Sequence, residues 1–349
     1  MRLRWGICGC GLISGDFVRA LKCLPEQQHQ VTGVGARSLE KATRFAEKEA
    51  LDSAKPFGSY EQLCNYPDVD VIYVATLNDT HHENVLKALE AGKHVLCEKP
   101  MGLNVRQVRE MVDCARSYNR FLMEAFWSRC FPVYKRMRAE IEKGSIGVVK
   151  FVVANFGFIR PEELIARILF PEGGGFLLDI GCYLIQLAQF AFGGEKPVKI
   201  HVDGWLHPGT EVDNTGAITL VYANNRIAQL IYSASAPLAS RSEICGTQGR
   251  LLIPESFWCP TTLELDKRGS AISEERETLR FELPHNTDVT HYTYPNSEGL
   301  SYEADEVRRC IINGLTESPL ISLDESVTIA EILQECRQQL GVTYKADQV

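Results

Sequence analysis

The sequence predicts an α/β protein in two parts, each with its own β-sheet. The first 125 residues alternate strand-like and helix-like segments, which is typical of a parallel sheet with helices on both faces. After about residue 130, strand-like segments follow one another closely, which indicates a largely antiparallel sheet. At 349 residues, the chain has the length of about two domains.

The N-terminal part opens with a short apolar strand, and its helices show apolar faces. The run from Val69 to Ala75 is rich in β-branched residues, as in a strand buried on both faces. Strands are expected at residues 4–8, 29–36, 69–75, 94–98 and 121–125, and helices at 12–24, 39–50, 82–91 and 105–118.

The C-terminal part combines closely spaced strands with four helices. Asn224-Asn225 is a turn signal between two strands, and the polar region from Lys267 to Glu277 is expected to be an exposed loop or hairpin end. Strands are expected at residues 149–158, 199–205, 215–222, 226–233, 241–245 and 250–254, and helices at 132–143, 177–192, 302–313 and 326–341.

Composition and charge exclude several classes of protein. The net charge of −8 gives no general attraction to nucleic acid or to an anionic membrane. The most apolar stretch, Phe176 to Phe192, is interrupted by Asp179 and two glutamines, so no membrane span is expected. No signal peptide is expected either, and the twelve scattered cysteines then indicate reduced thiols in the cytoplasm. Cys8 and Cys10 form a lone C-x-C pair with too few ligands for zinc, so no metal site is expected.

A glycine-rich turn after the first strand predicts a dinucleotide site. It runs from Gly9 through Gly11, Leu12 and Ile13 to Ser14, and it matches G-x-G-x-x-G in two of the three glycines. The first glycine permits the tight turn, and the second lets the backbone approach a pyrophosphate on the helix N-terminus.

The end of the second strand predicts NADP rather than NAD. An NAD site places Asp or Glu there for the ribose 2′-hydroxyl, whereas this chain has Arg37 and Ser38. The Arg37 guanidinium suits a 2′-phosphate, and Ser38 can add a hydrogen bond. Arg44 is a weaker candidate for the same role, and the alternative for Arg37 is a solvated surface charge.

Four further segments are similar to the glucose–fructose oxidoreductase, inositol dehydrogenase and rhizopine catabolism family. The most specific is G-K-H-V-L-C-E-K-P at residues 92–100, which resembles the hallmark of that family. The others are T-L-N-D-T-H at residues 76–81, with Leu77 in place of the family's proline, M-E-A-F-W-S-R at 123–129 and G-G-G-F-L-L-D-I-G-C-Y at 173–183.

The resemblance implies an N-terminal Rossmann domain, residues 1–125, and a C-terminal α+β domain, residues 126–349, with a large, mostly antiparallel open sheet. It also implies a homodimer in which the C-terminal sheets of two subunits pack together. A subgroup that resembles this chain more narrowly oxidises trans-dihydrodiols of aromatic hydrocarbons and D-xylose with NADP. The resemblance adds cofactor contacts from Thr76, Asn78, His81, Glu98 and Lys99.

Oxidation of an alcohol needs a hydride acceptor and a base for the hydroxyl proton. The nicotinamide accepts the hydride, and Tyr183 is the candidate base. A phenol is a poor base near neutral pH unless a cation is close, and Lys99 is the candidate cation. Asp179 lies four residues before Tyr183, on the same face of a helix, and can bind a substrate hydroxyl or orient Lys99.

Four aromatic residues are candidates for a substrate pocket: Trp127, Phe156, Trp258 and Phe281. Aromatic rings stack on flat ligands and on sugar faces. Core packing is the alternative for each, and it is favoured for Phe156 and Phe281 taken singly.

These residues together predict an NADP-dependent dehydrogenase of trans-dihydrodiols or aldoses, with a small-molecule substrate. Three alternatives remain: a reductase of anhydrosugars or other carbonyls, a catalytically silent NADP sensor, and a glycosidase that uses tightly held NAD. The retained Lys99, Asp179 and Tyr183 argue against the sensor, and the lack of an acidic residue near Arg37 argues against the glycosidase.

Overall fold

The computed structural model describes residues 2–159, 165, 168–268 and 274–348. These residues form two compact units. The first contains Met1–Gly102, Arg106–Cys130 and Leu283–Ser326, and the second contains Leu103–Val105, Phe131–Glu282 and Val327–Val349. A later segment, Leu283–Ser326, thus belongs to the first unit, and the domains at residues 1–125 and 126–349 stay a prediction.

The first unit contains a six-stranded parallel sheet. Its strands are β1 (Leu3–Cys8), β2 (His29–Gly35), β3 (Lys55–Phe57), β4 (Val71–Val74), β5 (His94–Cys97) and β6 (Leu122–Glu124), and they lie in the order β3-β2-β1-β4-β5-β6. Every pair of neighbours is parallel, as the alternating pattern predicts. The direction of the chain along the sheet reverses beside β1, and ligands of open α/β sheets bind at such a point.

The helices of the N-terminal part are close to their expected positions. They are α1 (Leu12–Leu21), α2 (Leu39–Lys48), α3 (Tyr60–Cys64), α4 (His81–Glu90) and α5 (Val105–Ser117). β3 and α3 are not predicted from the sequence, because three and five residues are too short to show a period. Ser59 marks α3 nevertheless, since its side chain accepts a hydrogen bond from the Gln62 amide at 3.2 Å.

The second unit contains an eight-stranded sheet. Its strands are β7 (Val149–Gly157), β8 (Lys199–Leu206), β9 (Asp213–Tyr222), β10 (Arg226–Ser233), β11 (Ser242–Gly246), β12 (Gly249–Ile253), β13 (Thr262–Arg268) and β14 (Glu274–Arg280), in the order β14-β13-β12-β11-β7-β10-β9-β8. All neighbours are antiparallel except β7 and β10. Asn224 and Asn225 both have left-handed backbone angles, which confirms the predicted turn. The polar region expected as a loop contains parts of β13 and β14, and residues 269–273 between them lie outside the described part.

One face of this sheet is covered and the other is open. Val152, Ala154 and Leu230 are buried beneath a π-helical turn (Leu177–Gly181) and α7 (Cys182–Ala191), all of whose residues are buried. The remaining helices of the chain are α6 (Pro132–Glu142), α8 (Leu300–Ile312) and α9 (Leu323–Leu340). The helix expected at 177–192 is thus a π turn followed by an α-helix.

None of the helices in the described ranges has the length and the apolar character that crossing a membrane requires.

Candidate active site

The glycine-rich turn has the geometry that a pyrophosphate needs. Gly9 has φ +106°, and a side chain there would overlap the Ala75 carbonyl group. Gly11 is the N-cap of α1, and no side chain of the described residues caps that end. A Cβ at Gly11 would meet only the Ala75 carbonyl oxygen, at 3.9 Å, so the space before the helix is open. Gly9 and Gly11 therefore leave room for a pyrophosphate before α1, and cofactor contacts from Leu12 and Ile13 stay a prediction.

The end of β2 presents an exposed arginine. Arg37 is exposed and makes no ion pair within the ranges described. Arg44 instead pairs with Glu40 one helical turn away. The Ser38 side chain accepts a hydrogen bond from the Lys41 amide at 3.3 Å and caps α2, so Ser38 also has a structural role.

Lys41 is a candidate that the sequence analysis missed. Burial raises the pKa of the Cys10 thiol to about 11, and the positive charge of Lys41 opposes that increase. Lys41 therefore lies close enough to the glycine turn for its charge to act there. Its position in the first turn of α2, three residues after the N-cap, is the signal that could have identified it.

The motif at the end of β5 places a carboxylate in a polar setting. Glu98 accepts a hydrogen bond from the Tyr73 hydroxyl at 2.5 Å and from the Lys99 amide at 3.2 Å. Its side chain is nearly buried, and these donors hold it in one orientation. The peptide bond between Lys99 and Pro100 is cis.

His81 is buried and contacts two backbone carbonyl groups, which is not what we expect of a residue that contacts a cofactor directly. It is 1% exposed, and its ring nitrogens lie 3.0 Å from the Pro100 carbonyl oxygen and 3.3 Å from that of Thr76. Burial lowers the pKa of His81 to about 4, so the ring is neutral and only one nitrogen donates. We interpret His81 as a support for the two loops rather than as a cofactor ligand.

Thr76 and Asn78 lie in the loop after β4. The Thr76 hydroxyl accepts a hydrogen bond from the Thr80 hydroxyl at 2.9 Å, and Asn78 begins a short 3₁₀ helix. Both follow a strand of the parallel sheet at its carboxyl end, where ligands of such sheets bind.

The second unit carries the candidate proton-transfer residues. Asp179 lies in the π turn Leu177–Gly181, and Tyr183 follows in the first turn of α7. The structure corrects the expected geometry, because the backbone from Asp179 to Tyr183 begins in a π turn and not in a regular α-helix.

Tyr183 lies next to a cluster of aromatic rings through Phe156. Phe156 stacks on Trp258 with ring centroids 4.1 Å apart and an interplanar angle of 18°, and its centroid is 6.2 Å from that of Tyr183. Phe156 is buried, whereas Trp258 is partly exposed. Phe281 makes no ring contact with the cluster among the residues described. Trp127 is 4% exposed and belongs to the first unit.

No group of three or more His, Cys, Asp or Glu side chains in the described residues could hold a metal ion.

Comparison with known proteins identifies the family. Residues 3–126 match the model of the oxidoreductase family with an NAD-binding Rossmann fold, and residues 134–252 match that of the GFO/IDH/MocA C-terminal domain. The chain belongs to the GFO/IDH/MocA family. It is an oxidoreductase with an N-terminal domain that binds NAD or NADP.

Individual relatives agree with this family. A trans-1,2-dihydrobenzene-1,2-diol dehydrogenase of Xenopus laevis is 46% identical, and the match covers 99% of this chain and 100% of the relative. The solved structure of KijD10, a 3-ketoreductase of Actinomadura kijaniata in complex with NADP and TDP-benzene, is 26% identical with a TM-score of 0.79, covering 97% of this chain and 98% of that one. A levoglucosan dehydrogenase complex shares the fold at 21% identity, with a TM-score of 0.84 and 98% of each chain covered.

Proposed function

We propose that this protein is an NADP-dependent dehydrogenase that acts on a carbinol carbon of trans-dihydrodiols or of aldoses such as D-xylose. The observation that carries the proposal is the aromatic cluster of Phe156, Trp258 and Tyr183. It combines flat apolar surface for a ring substrate with one hydroxyl for proton transfer. The names of full-length relatives at 40–46% identity support the same substrate class.

NADP is the proposed cofactor because of the charge at the end of β2. Arg37 is exposed and without an ion-pair partner in the described ranges, whereas the Arg44 charge is compensated by Glu40. A carboxylate at this place would select NAD, and none is present in the sequence from Gly35 to Ser38. The KijD10 complex contains NADP, and the levoglucosan dehydrogenase complex contains NADH, so the family allows either.

Each candidate residue has one proposed role in the reaction. The bound nicotinamide supplies the hydride acceptor or donor. Tyr183 takes the proton of the substrate hydroxyl in oxidation and returns it in reduction. Lys99 carries the positive charge that favours the phenolate, and Asp179 binds a substrate hydroxyl or orients Lys99. Glu98 binds the nicotinamide ribose or carboxamide from the fixed position that Tyr73 gives it.

Trp127 and Phe281 remain proposed members of the substrate pocket because of their aromatic rings, which can stack on a flat ligand or a sugar face. A cytoplasmic location also remains a prediction from the cysteine usage.

We also propose a homodimer through the open face of the eight-stranded sheet. Strand pairing places Phe151, Val153, Ile231 and Trp205 on one face, and these side chains are 47%, 46%, 48% and 73% exposed. Large apolar side chains that share one exposed face are typical of a protein interface. Sedimentation equilibrium tests this, with a dimer expected for the native chain and a monomer for Trp205→Asp combined with Ile231→Asp.

A carbonyl reductase is the second candidate, because KijD10 is a 3-ketoreductase similar over 97% of this chain. Tyr183 would then act as general acid, and the same residues would reduce a ketone or an anhydrosugar-derived carbonyl.

The deciding experiment follows absorbance at 340 nm with NADP or NAD in excess. The substrates are a trans-dihydrodiol of benzene, D-xylose, D-glucose and myo-inositol. We expect the absorbance at 340 nm to increase when NADP is combined with the dihydrodiol or with D-xylose. Activity with NADPH on ketones alone would favour the reductase. NADPH binding by fluorescence without turnover in either direction would contradict both proposals.

A further inference from the structure

A buried carboxylate lies at the start of the helix that carries the candidate proton-transfer residues. Asp213 is the first residue of β9 and is 0% exposed. Its Oδ2 accepts a hydrogen bond of 2.5 Å from the backbone amide of Leu177. Leu177 is the first residue of the π turn Leu177–Gly181, two residues before Asp179 and six before Tyr183. A side chain 36 residues away thus satisfies an amide that the helix itself cannot pair.

The backbone before the π turn is shaped to reach this carboxylate. Gly175 has φ +115°, and a Cβ at this position would overlap Asp213 Oδ1. The Gly174 carbonyl oxygen accepts a hydrogen bond from the Tyr344 hydroxyl. The glycines of this segment therefore allow the chain to lie against Asp213 and Tyr344, which larger residues would prevent.

The titratable groups that face Asp213 are Tyr232 on β10, Tyr344, and Arg337 and Cys336 on α9. The charge of Arg337 is already compensated by Asp347 at 2.9 Å. Burial raises the pKa of Asp213 to about 6, and the Leu177 amide opposes that increase. The Leu177 amide is the strongest of the groups that favour the charged carboxylate, ahead of Tyr232, and Asp213 is the acceptor for that amide.

We propose that Asp213 is a positioning residue that holds the π turn Leu177–Gly181 in place and so sets the orientation of Asp179 and Tyr183. A hydrogen bond to a carboxylate is about twice as strong as one to a neutral acceptor. A π turn is an uncommon geometry that is frequent at functional sites, and here a side chain from β9 binds its first amide. The part of the proposal that concerns proton transfer rests on the function proposed above.

The test replaces the carboxylate by an amide of the same shape. Asp213→Asn is expected to reduce kcat by roughly 5- to 10-fold, as a charged acceptor becomes neutral. The Michaelis constant for NADP should change less than twofold, because the cofactor candidates lie in the other unit. The decrease of kcat on acidification through about pH 6 should disappear, since the amide does not titrate. Hydrogen exchange in a peptide that spans residues 177–183 should become several-fold faster.

Asp266→Asn is the matched control. Asp266 is a second buried aspartate of the same sheet, 3% exposed, and it pairs with Arg250 at 2.8 Å, not with the π turn. This variant should lose a similar interaction without changing kcat or exchange in residues 177–183. Equal effects of the two variants on kcat and exchange, or unchanged exchange in Asp213→Asn, would overturn the proposal.

The exchange measurement separates this proposal from the proposed function. Faster exchange in Asp213→Asn, with no turnover of any substrate by the native protein, would support positioning and contradict the function. If Asp213→Asn does not fold, the native protein decides the question alone. Exchange protection of Leu177, corrected for the intrinsic effect of pH, should then decrease several-fold between pH 7.5 and pH 5, and constant protection would refute the role.

Discussion

Replacing Arg37 by alanine tests the selection of NADP at the residue where the sequence first indicates it. The side chain is exposed and makes no ion pair in the described ranges, so its loss leaves no buried charge behind. A hydrogen bond to a charged group contributes about 1.5–3 kcal/mol, whereas exposed ion pairs contribute roughly 0.2–1 kcal/mol. We therefore expect that the contact between the exposed guanidinium and the 2′-phosphate contributes about 1–2 kcal/mol to the free energy of NADP binding, a value between these two ranges.

That free energy corresponds to an increase of about 5- to 30-fold in the Michaelis constant for NADP. The constant for NAD should change less than twofold, because NAD has no 2′-phosphate. The assay measures initial rates at 340 nm for both cofactors at one saturating substrate concentration. NADPH binding by fluorescence gives the same comparison without turnover. Low ionic strength should enlarge the effect, since exposed charges are screened by salt.

Arg44→Ala is the matched control for this measurement. It removes an exposed arginine of the same helix region whose charge is already engaged by Glu40. The ratio of NADP to NAD Michaelis constants should stay within about twofold of that of the native protein. If Arg37→Ala changes the two constants equally, or if Arg44→Ala changes the ratio as much, the assignment of the 2′-phosphate to Arg37 is refuted.

Three further predictions concern the proton, the substrate and the stability of the first unit. Tyr183→Phe should lower kcat by about 10²- to 10⁴-fold while NADPH binding by fluorescence is retained; unchanged turnover would remove Tyr183 from proton transfer. Trp258→Ala should raise the Michaelis constant for the dihydrodiol by about 2- to 10-fold, because a stacking ring is lost. Phe281→Ala should change this constant less, because Phe281 makes no ring contact with the cluster in the described residues. Equal effects of the two variants would contradict the role of the aromatic cluster in substrate binding. Burial raises the pKa of Glu124 from 4.5 to about 7. The folded protein therefore keeps a proton that the unfolded chain releases, and the free energy of unfolding should decrease as the pH rises from about 4.5 to 7. Glu124→Gln should weaken that decrease in urea unfolding measured across this range, and an unaltered slope would contradict the buried-acid interpretation.

The local elements were predictable because their signals lie within each element. Most of the expected strands and helices agree with the structure within a few residues, including β2 (His29–Gly35) and α2 (Leu39–Lys48). The exceptions have physical reasons. β3 and α3 are too short to show periodicity. β13 and β14 lie in polar sequence, and the pairing of β13 with β12 and of β14 with β13 decides their conformation.

The candidate site was predictable only in part. The identity and spacing of Arg37, Lys99, Asp179 and Tyr183 are readable in the chain, since each lies in a recognisable motif. The hydrogen bonds of His81 were not predictable, because its partner, the Pro100 carbonyl group, lies 19 residues away in sequence. The sequence motif is the same whether the histidine supports two loops or contacts a ligand, so the sequence cannot distinguish these roles.

The sequence by itself determined most of the strands and helices, the glycine-rich turn at Gly9 and the basic residue after β2. These features depend on backbone conformations and contacts within short segments, where residue type is decisive. The tertiary structure alone decided that Asp213 meets Leu177, that Phe156 stacks on Trp258 and that residues 283–326 return to the first unit. Such partners are distant in sequence, and they meet only when strand register and packing bring them together.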